Sequence, residues 1–217
     1  MMNVPIHILT MGALRDASVR LWPFPHVFVR DIFSSAFYNI LYNALDGVEK
    51  DFIPLNETGR VTRNYSDQRF VRRSLGEVHD ALTQILSLPV LGEQLLAKFF
   101  VTGIQNLHDE ILVIRDFPGY SLGPHTDSPS KVISCLFYLA RDDARPWLGT
   151  TFYVPKDRAR TCPGCLHHAV TEFDRVFTFD YVPNAMLAFV KSDVSFHGVE
   201  PFTEGQRNLL LYDIRRK

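Results

Sequence analysis

In the segment Tyr120-Ser121-Leu122-Gly123-Pro124-His125-Thr126-Asp127, an imidazole and a carboxylate stand two residues apart. In an extended strand, residues i and i+2 point to the same face, so this spacing predicts that both side chains reach one ion. That donor pair suits a first-row divalent metal, and a second, distant histidine would complete a facial triad with three coordination positions open. Alone the pair says little, because eight histidines and sixteen aspartates in one chain produce such spacing readily by chance. The candidate third ligand is His197, in Ser195-Phe196-His197-Gly198-Val199, shortly after the apolar run Met186-Leu187-Ala188-Phe189-Val190. Ten residues beyond it, Arg207 heads the run Asn208-Leu209-Leu210-Leu211-Tyr212. A guanidinium pointing inward from there needs a carboxylate, since burying it alone is costly. A dicarboxylate cosubstrate would supply one by bidentate pairing, whereas a solvent-facing strand end would need none.

These residues fall in the half of the chain that reads as strands. Short apolar runs occupy residues 111–114, 132–139, 150–154, 176–179, 186–190 and 209–214. They are bounded by turn clusters such as Phe117-Pro118-Gly119, Arg141-Asp142-Asp143 and Val182-Pro183-Asn184. Six or more such strands predict a sandwich or small barrel. The first half reads as helical. Phe33, Phe37, Ile40, Leu41, Ala44 and Leu45 fall on one face of a helix that stops at Asp46-Gly47. Ser74-Leu75-Gly76-Glu77 matches a capping box opening a second helix through Val78, Ala81, Leu82, Ile85 and Leu86, and Pro89 interrupts it before a short helix over 91–100. Residues 25–29 read as a short strand. Residues 51–73 read as polar and irregular, with Arg60, Arg63, Arg69, Arg72 and Arg73 scattered through them. The expected class is α+β in one domain over 1–217, mainly helical over 1–105 and sheet over 106–217, with the helices on one outer face.

The order His-x-Asp, a histidine about seventy residues later and an arginine ten further on resembles the Fe(II)/2-oxoglutarate-dependent dioxygenase superfamily, and within it the prolyl 4-hydroxylase-like branch. The resemblance covers roughly residues 111–215, with a strand–helix lead-in over 25–45. It implies a double-stranded β-helix (jelly roll) core with the metal at its open mouth. It implies His125, Asp127 and His197 as metal-ligating catalytic residues, with Arg207 pairing the far carboxylate of 2-oxoglutarate. It further implies Tyr138 as a hydrogen-bond partner of that carboxylate and Tyr120 as a cosubstrate contact, while Arg115 stands where an aromatic is expected. The cofactors implied are Fe(II), 2-oxoglutarate as cosubstrate and O2, with ascorbate as support. The implied reaction hydroxylates an unactivated carbon of a small metabolite or of an amino-acid or peptide side chain, releasing succinate and CO2. Asp127 argues against halogenation, because halogenases of this superfamily replace that carboxylate with a small residue.

Composition narrows the partners. A net charge of −1 gives no field favouring nucleic acid or an anionic membrane, and no apolar run approaches the length of a bilayer. The start, Met1-Met2-Asn3-Val4-Pro5, lacks the layout of a secretory signal, and three cysteines are too few and odd in number for a disulfide framework. A cytoplasmic protein acting on a small molecule or peptide, with no nucleic acid or membrane partner, is expected. Cys162-Pro163-Gly164-Cys165-Leu166-His167-His168 offers corners of a zinc site or an incidental loop pair, in a loop that is either a substrate wall or solvated. Two other readings stand beside the oxygenase. One is a non-catalytic jelly-roll metal-binding or sensory module; the other is a cupin-type metal enzyme that does not use 2-oxoglutarate.

Overall fold

The computed structural model describes residues 12–46, 51–58, 68–164 and 166–217. Its strands are β1 (His26–Val29), β2 (Ile53–Pro54), β3 (Arg69–Arg72), β4 (Leu107–Asp116), β5 (Leu122–His125), β6 (Lys131–Tyr138), β7 (Thr151–Pro155), β8 (Phe173–Thr178), β9 (Ala185–Val190), β10 (His197–Val199) and β11 (Arg207–Arg216). A seven-stranded sheet runs in the order β1-β9-β6-β11-β4-β3-β2, and a four-stranded sheet in the order β5-β10-β7-β8. All recorded pairs are antiparallel. From β4 to β11 the chain alternates between the two sheets, except that β7 and β8 pair with each other in the small one, in the manner of a double-stranded β-helix, the architecture expected.

The large sheet is buried on both faces, which explains why its strands read as continuous apolar runs rather than alternating ones. On the inner face Leu112, Ile114, Leu136, Leu187, Phe189 and Leu209 meet the small sheet through Phe152. On the outer face Val113, Ile133, Phe137, Met186, Leu210 and Tyr212 meet the helices through Phe37, Leu41, Leu82 and Leu95. Those helices are α1 (Ser35–Asp46), α2 (Glu77–Ile85) and α3 (Glu93–Lys98), and they cover one face. Ser34 caps α1: its hydroxyl accepts the Phe37 N–H at 3.3 Å.

Two local expectations change. The Ser74 hydroxyl accepts from the Gly76 N–H at 3.2 Å, and α2 starts only after Gly76 has turned the chain at φ 62°. The serine therefore sits too early to close a capping box. Within residues 51–73, read as irregular, Arg69–Arg72 forms β3 and pairs with β4, so the first half of the chain contributes strands to the large sheet as well as helices. Arg60 and Arg63 lie outside the described residues. Among the described residues no helix is long and apolar enough to cross a membrane.

Candidate metal centre

Strand pairing brings the two histidines together. His197, the first residue of β10, stands directly opposite His125, the last residue of β5, and their ring centroids are 4.3 Å apart. Each ring is fixed from behind: His125 Nδ1 donates to the Gly123 carbonyl at 3.0 Å and His197 Nδ1 to the Ser195 carbonyl at 2.9 Å. With Nδ1–H engaged, both Nε2 lone pairs are presented to a common point, the arrangement a metal-binding histidine needs.

Asp127 reaches that point by a different route from the one its spacing suggested. β5 ends at His125, and Asp127 lies beyond it with φ 65°, a left-handed conformation uncommon for a residue with a Cβ. A turn, not a shared strand face, aims the carboxylate. Its Oδ1 lies 3.7 Å from His125 Nε2 and its Oδ2 3.5 Å from His197 Nε2. One ligand atom from each of the three residues lies within 4.8 Å of the others, and this is the one such cluster found among the described residues. Two imidazole nitrogens and one carboxylate oxygen on one side of a point suit a first-row divalent metal with open positions opposite.

The electrostatics favour the ligating forms. Burial beside His125 takes the His197 imidazole down to about 3, so it is neutral at physiological pH. Burial alone would raise the Asp127 carboxyl, but Lys131, then His197 and His125, reverse this and hold it well below its ordinary value. Lys131 Nζ donates to Asp127 Oδ1 at 3.0 Å, and the Ser134 hydroxyl donates to Oδ2 at 2.7 Å. Burial would lower Lys131, yet Asp127 and Asp213, the latter 3.1 Å away, keep it raised and charged.

Two adjoining chambers open on this centre. The inner one, about 70 Å³, is lined by His125, Asp127, His197, Thr150, Arg69 and Arg207 among others. The outer one, about 410 Å³, shares His125, Asp127, Lys131 and Arg69 and adds apolar walls from Val71, Leu112 and Leu211. His167 also lines it, with its ring centroid 5.0 Å from that of His125.

Arg207 is buried to 1% exposure, and the chain itself supplies the carboxylate it needs. Its Nη1 donates to Asp116 at 2.8 Å, its Nε to the Leu148 carbonyl at 2.6 Å and its Nη2 to the Thr150 hydroxyl at 3.0 Å. Asp116 is shared: Arg69 grips both of its oxygens, at 2.6 and 2.7 Å. The three residues stand in one row across β3, β4 and β11. Arg69 and Arg207 share one buried carboxylate beside the inner chamber, and three engaged donors leave Arg207 one N–H on each terminal nitrogen.

Neither tyrosine lines a chamber. The Tyr138 hydroxyl accepts the Thr150 N–H at 3.0 Å, one layer behind Thr150, and Tyr120 is buried with its ring 4.3 Å below the Arg69 guanidinium carbon. Arg115 points away from the site, with Nε donating to Asn208 Oδ1 at 3.0 Å and its guanidinium over Phe52. Cys162 is buried and Cys165 lies outside the described residues. Sequence reasoning missed Lys131, Ser134, Thr150 and Asp116, and named Arg69 only within an arginine-rich stretch read as irregular. The usable signals were an aspartate at the end of the 111–114 run and a lysine heading the 132–139 run, each a charge where a strand was expected to be buried.

No family model matches the chain, and no curated protein matches it in sequence. Solved structures do match. A prolyl-4-hydroxylase from Pseudomonas putida superposes with a TM-score of 0.62 at 15% identity, covering 96% of this chain and 100% of that one. A prolyl hydroxylase from Trichoplax adhaerens, in complex with a hypoxia inducible factor oxygen degradation domain peptide fragment, gives 0.60 at 12% identity, covering 96% and 88%. HygX from Streptomyces hygroscopicus, with nickel, 2-oxoglutarate and hygromycin B bound, gives 0.58 at 14% identity, covering 88% and 83%. The chain shares the double-stranded β-helix fold of these proteins.

Proposed function

We propose that the chain is an Fe(II)- and 2-oxoglutarate-dependent oxygenase in which His125, Asp127 and His197 hold the iron and Arg207 pairs the far carboxylate of 2-oxoglutarate. The observation that carries this reading is a single inner chamber lined by both the triad and Arg207. Iron, 2-oxoglutarate and O2 together supply oxidative decarboxylation to succinate and CO2, coupled to oxidation of a substrate C–H bond. The protein binds, orients and excludes water. Lys131 and Ser134 orient the Asp127 carboxylate, and the Gly123 and Ser195 carbonyls orient the imidazoles. The two remaining Arg207 N–H groups and the Thr150 hydroxyl receive the far carboxylate. In this reading Tyr138 and Tyr120 act from behind, through Thr150 and Arg69.

The proposed outcome is hydroxylation of an unactivated carbon in a small molecule or an amino-acid or peptide side chain, because Val71, Leu112 and Leu211 offer an aliphatic segment apolar contact beside the metal. Ascorbate would support turnover as a reductant, and residues 1–217 would act as one domain. A cytoplasmic setting suits the free thiols of Cys135 and Cys162. One observation favours a second reading, a non-catalytic metal-binding module: Asp116 already satisfies Arg207 without a cosubstrate. Succinate formation separates the two. With Fe(II), 2-oxoglutarate and O2, the wild type is expected to release succinate and Asp127→Ala is not; metal binding without any succinate supports the second reading and sinks the first.

A further inference from the structure

The loop between β7 and β8 carries the Cys162-Pro163-Gly164 turn, which the proposed chemistry does not use. Its position relative to the metal ligands is specific. On one side it grips the segment bearing His125 and Asp127. The Thr126 hydroxyl donates to the Cys162 carbonyl at 2.7 Å, and the His168 N–H donates to the Pro124 carbonyl at 2.9 Å. On the other side it grips the segment leading to His197. The Cys162 N–H donates to the Asp193 carbonyl at 2.8 Å, and Lys191 Nζ donates to the Pro163 carbonyl at 2.8 Å. The Cys162 side chain is buried with Phe196, the neighbour of His197, in a small apolar cluster with Tyr153 and Phe173.

The packing leaves no slack. A Cβ at Gly164 would lie 2.1 Å from the Asp127 carbonyl oxygen, and Gly164 itself has φ 138°, which a residue with a side chain rarely adopts. The contact falls on the residue whose own backbone is left-handed, at φ 65°. A non-glycine residue in that conformation persists only where its surroundings determine it, and the loop supplies those surroundings. Across β5 the approach is also close: a Cβ at Gly123 would lie 2.7 Å from the His168 carbonyl oxygen.

We propose that the Cys162-Pro163-Gly164 turn is a keystone of the metal centre, wedged between the two ligand-bearing segments and fixing the backbone that aims Asp127, with Gly164 and Thr126 as its positioning residues. The inference rests on the metal reading of the triad. It also gives the loop a second role, since the same anchoring holds His167 at the wall of the outer chamber, next to His125. The turn therefore supports the metal from outside.

The test is anaerobic titration of the full chain with Co(II), read by its visible ligand-field bands, alongside the thermal midpoint of the metal-free protein. Gly164→Ala and Thr126→Val are each expected to weaken Co(II) binding by roughly 10- to 100-fold, the range seen when supports of metal ligands are removed. Thr126→Ser keeps the hydroxyl and is expected to bind as the wild type does. If Gly164→Ala does not fold, the two Thr126 variants carry the comparison. A lowered thermal midpoint with Co(II) affinity intact means the turn is only structural, and overturns the keystone. Failure of the wild type to bind Co(II) overturns the metal reading and the keystone with it, so the two failures are told apart by the wild-type titration.

Discussion

Replacing Arg207 with lysine keeps a positive charge beside Asp116 but removes the fork. In the native site Arg207 uses three donors on Asp116, Leu148 and Thr150, leaving one N–H on each terminal nitrogen for a ligand carboxylate. Lysine has three donors on one atom, so after pairing with Asp116 it has no planar pair to offer. Losing one charge-assisted hydrogen bond to the far carboxylate costs about 1.5–3 kcal/mol. That corresponds to roughly a 10- to 150-fold rise in the dissociation constant for 2-oxoglutarate. Because Arg69 still holds both oxygens of Asp116, the buried carboxylate is not abandoned and the fold should survive. The assay is calorimetric titration of 2-oxoglutarate into Mn(II)-loaded protein, with the Mn(II) affinity measured separately. Weaker 2-oxoglutarate binding with unchanged Mn(II) affinity is the expected result. Unchanged 2-oxoglutarate binding would refute the assignment of Arg207 and leave it as a structural partner of Asp116.

Other outcomes follow from particular residues. His26 and His197 both have folded-state values lowered by burial, His197 to about 3, so the neutral forms are tied to the folded state. Their stabilisation is complete above about 6.5 and is lost as pH falls below it, for His197 down to about 3, at about 1.4 kcal/mol per pH unit for each group protonated only in the unfolded chain. Urea midpoints of metal-free protein should therefore drop between pH 7.5 and pH 5, and a flat profile would contradict the burial argument. Phe152→Ala removes a fully buried ring packed among Phe24, His26, Phe179 and Phe189, and should destabilise by about 3–5 kcal/mol in chemical denaturation. His167→Ala should leave metal and 2-oxoglutarate binding intact and lower only the succinate release that a substrate stimulates; a loss of metal affinity instead would place His167 among the supports of the ligands.

The candidate metal ligands were legible because their chemistry is local in type, even though it is distant in sequence. His125, Asp127, His197 and Arg207 each carried a signal in spacing or in the apolar run beside it. The sheets were legible because burial on both faces makes long apolar runs, as in residues 132–139 and 186–190. What the sequence hid depended on long-range pairing. β3 looked irregular because Arg69 and Arg72 are charged, and only its register against Asp116 turns Arg69 into an inward-facing ion pair. The partner of Arg207 was likewise expected from a cosubstrate, while Asp116, 91 positions away, supplies it from the neighbouring strand. The segment from Cys162 to His168 offered a zinc site or an incidental loop pair when read alone; the contacts of Cys162 and Pro163 with the segments around Asp127 and His197 exist only in the fold. Asp127 reached the site by a left-handed turn, which a two-residue spacing cannot distinguish from a strand.

The most direct test of the central claim is the visible absorption of the anaerobic protein with Fe(II), before and after 2-oxoglutarate is added. A charge-transfer band is expected to appear only when both are present, to be absent in His125→Ala, and to need more 2-oxoglutarate for half-formation when Arg207 is replaced. Fe(II) binding by the wild type with no band at saturating 2-oxoglutarate would contradict the account.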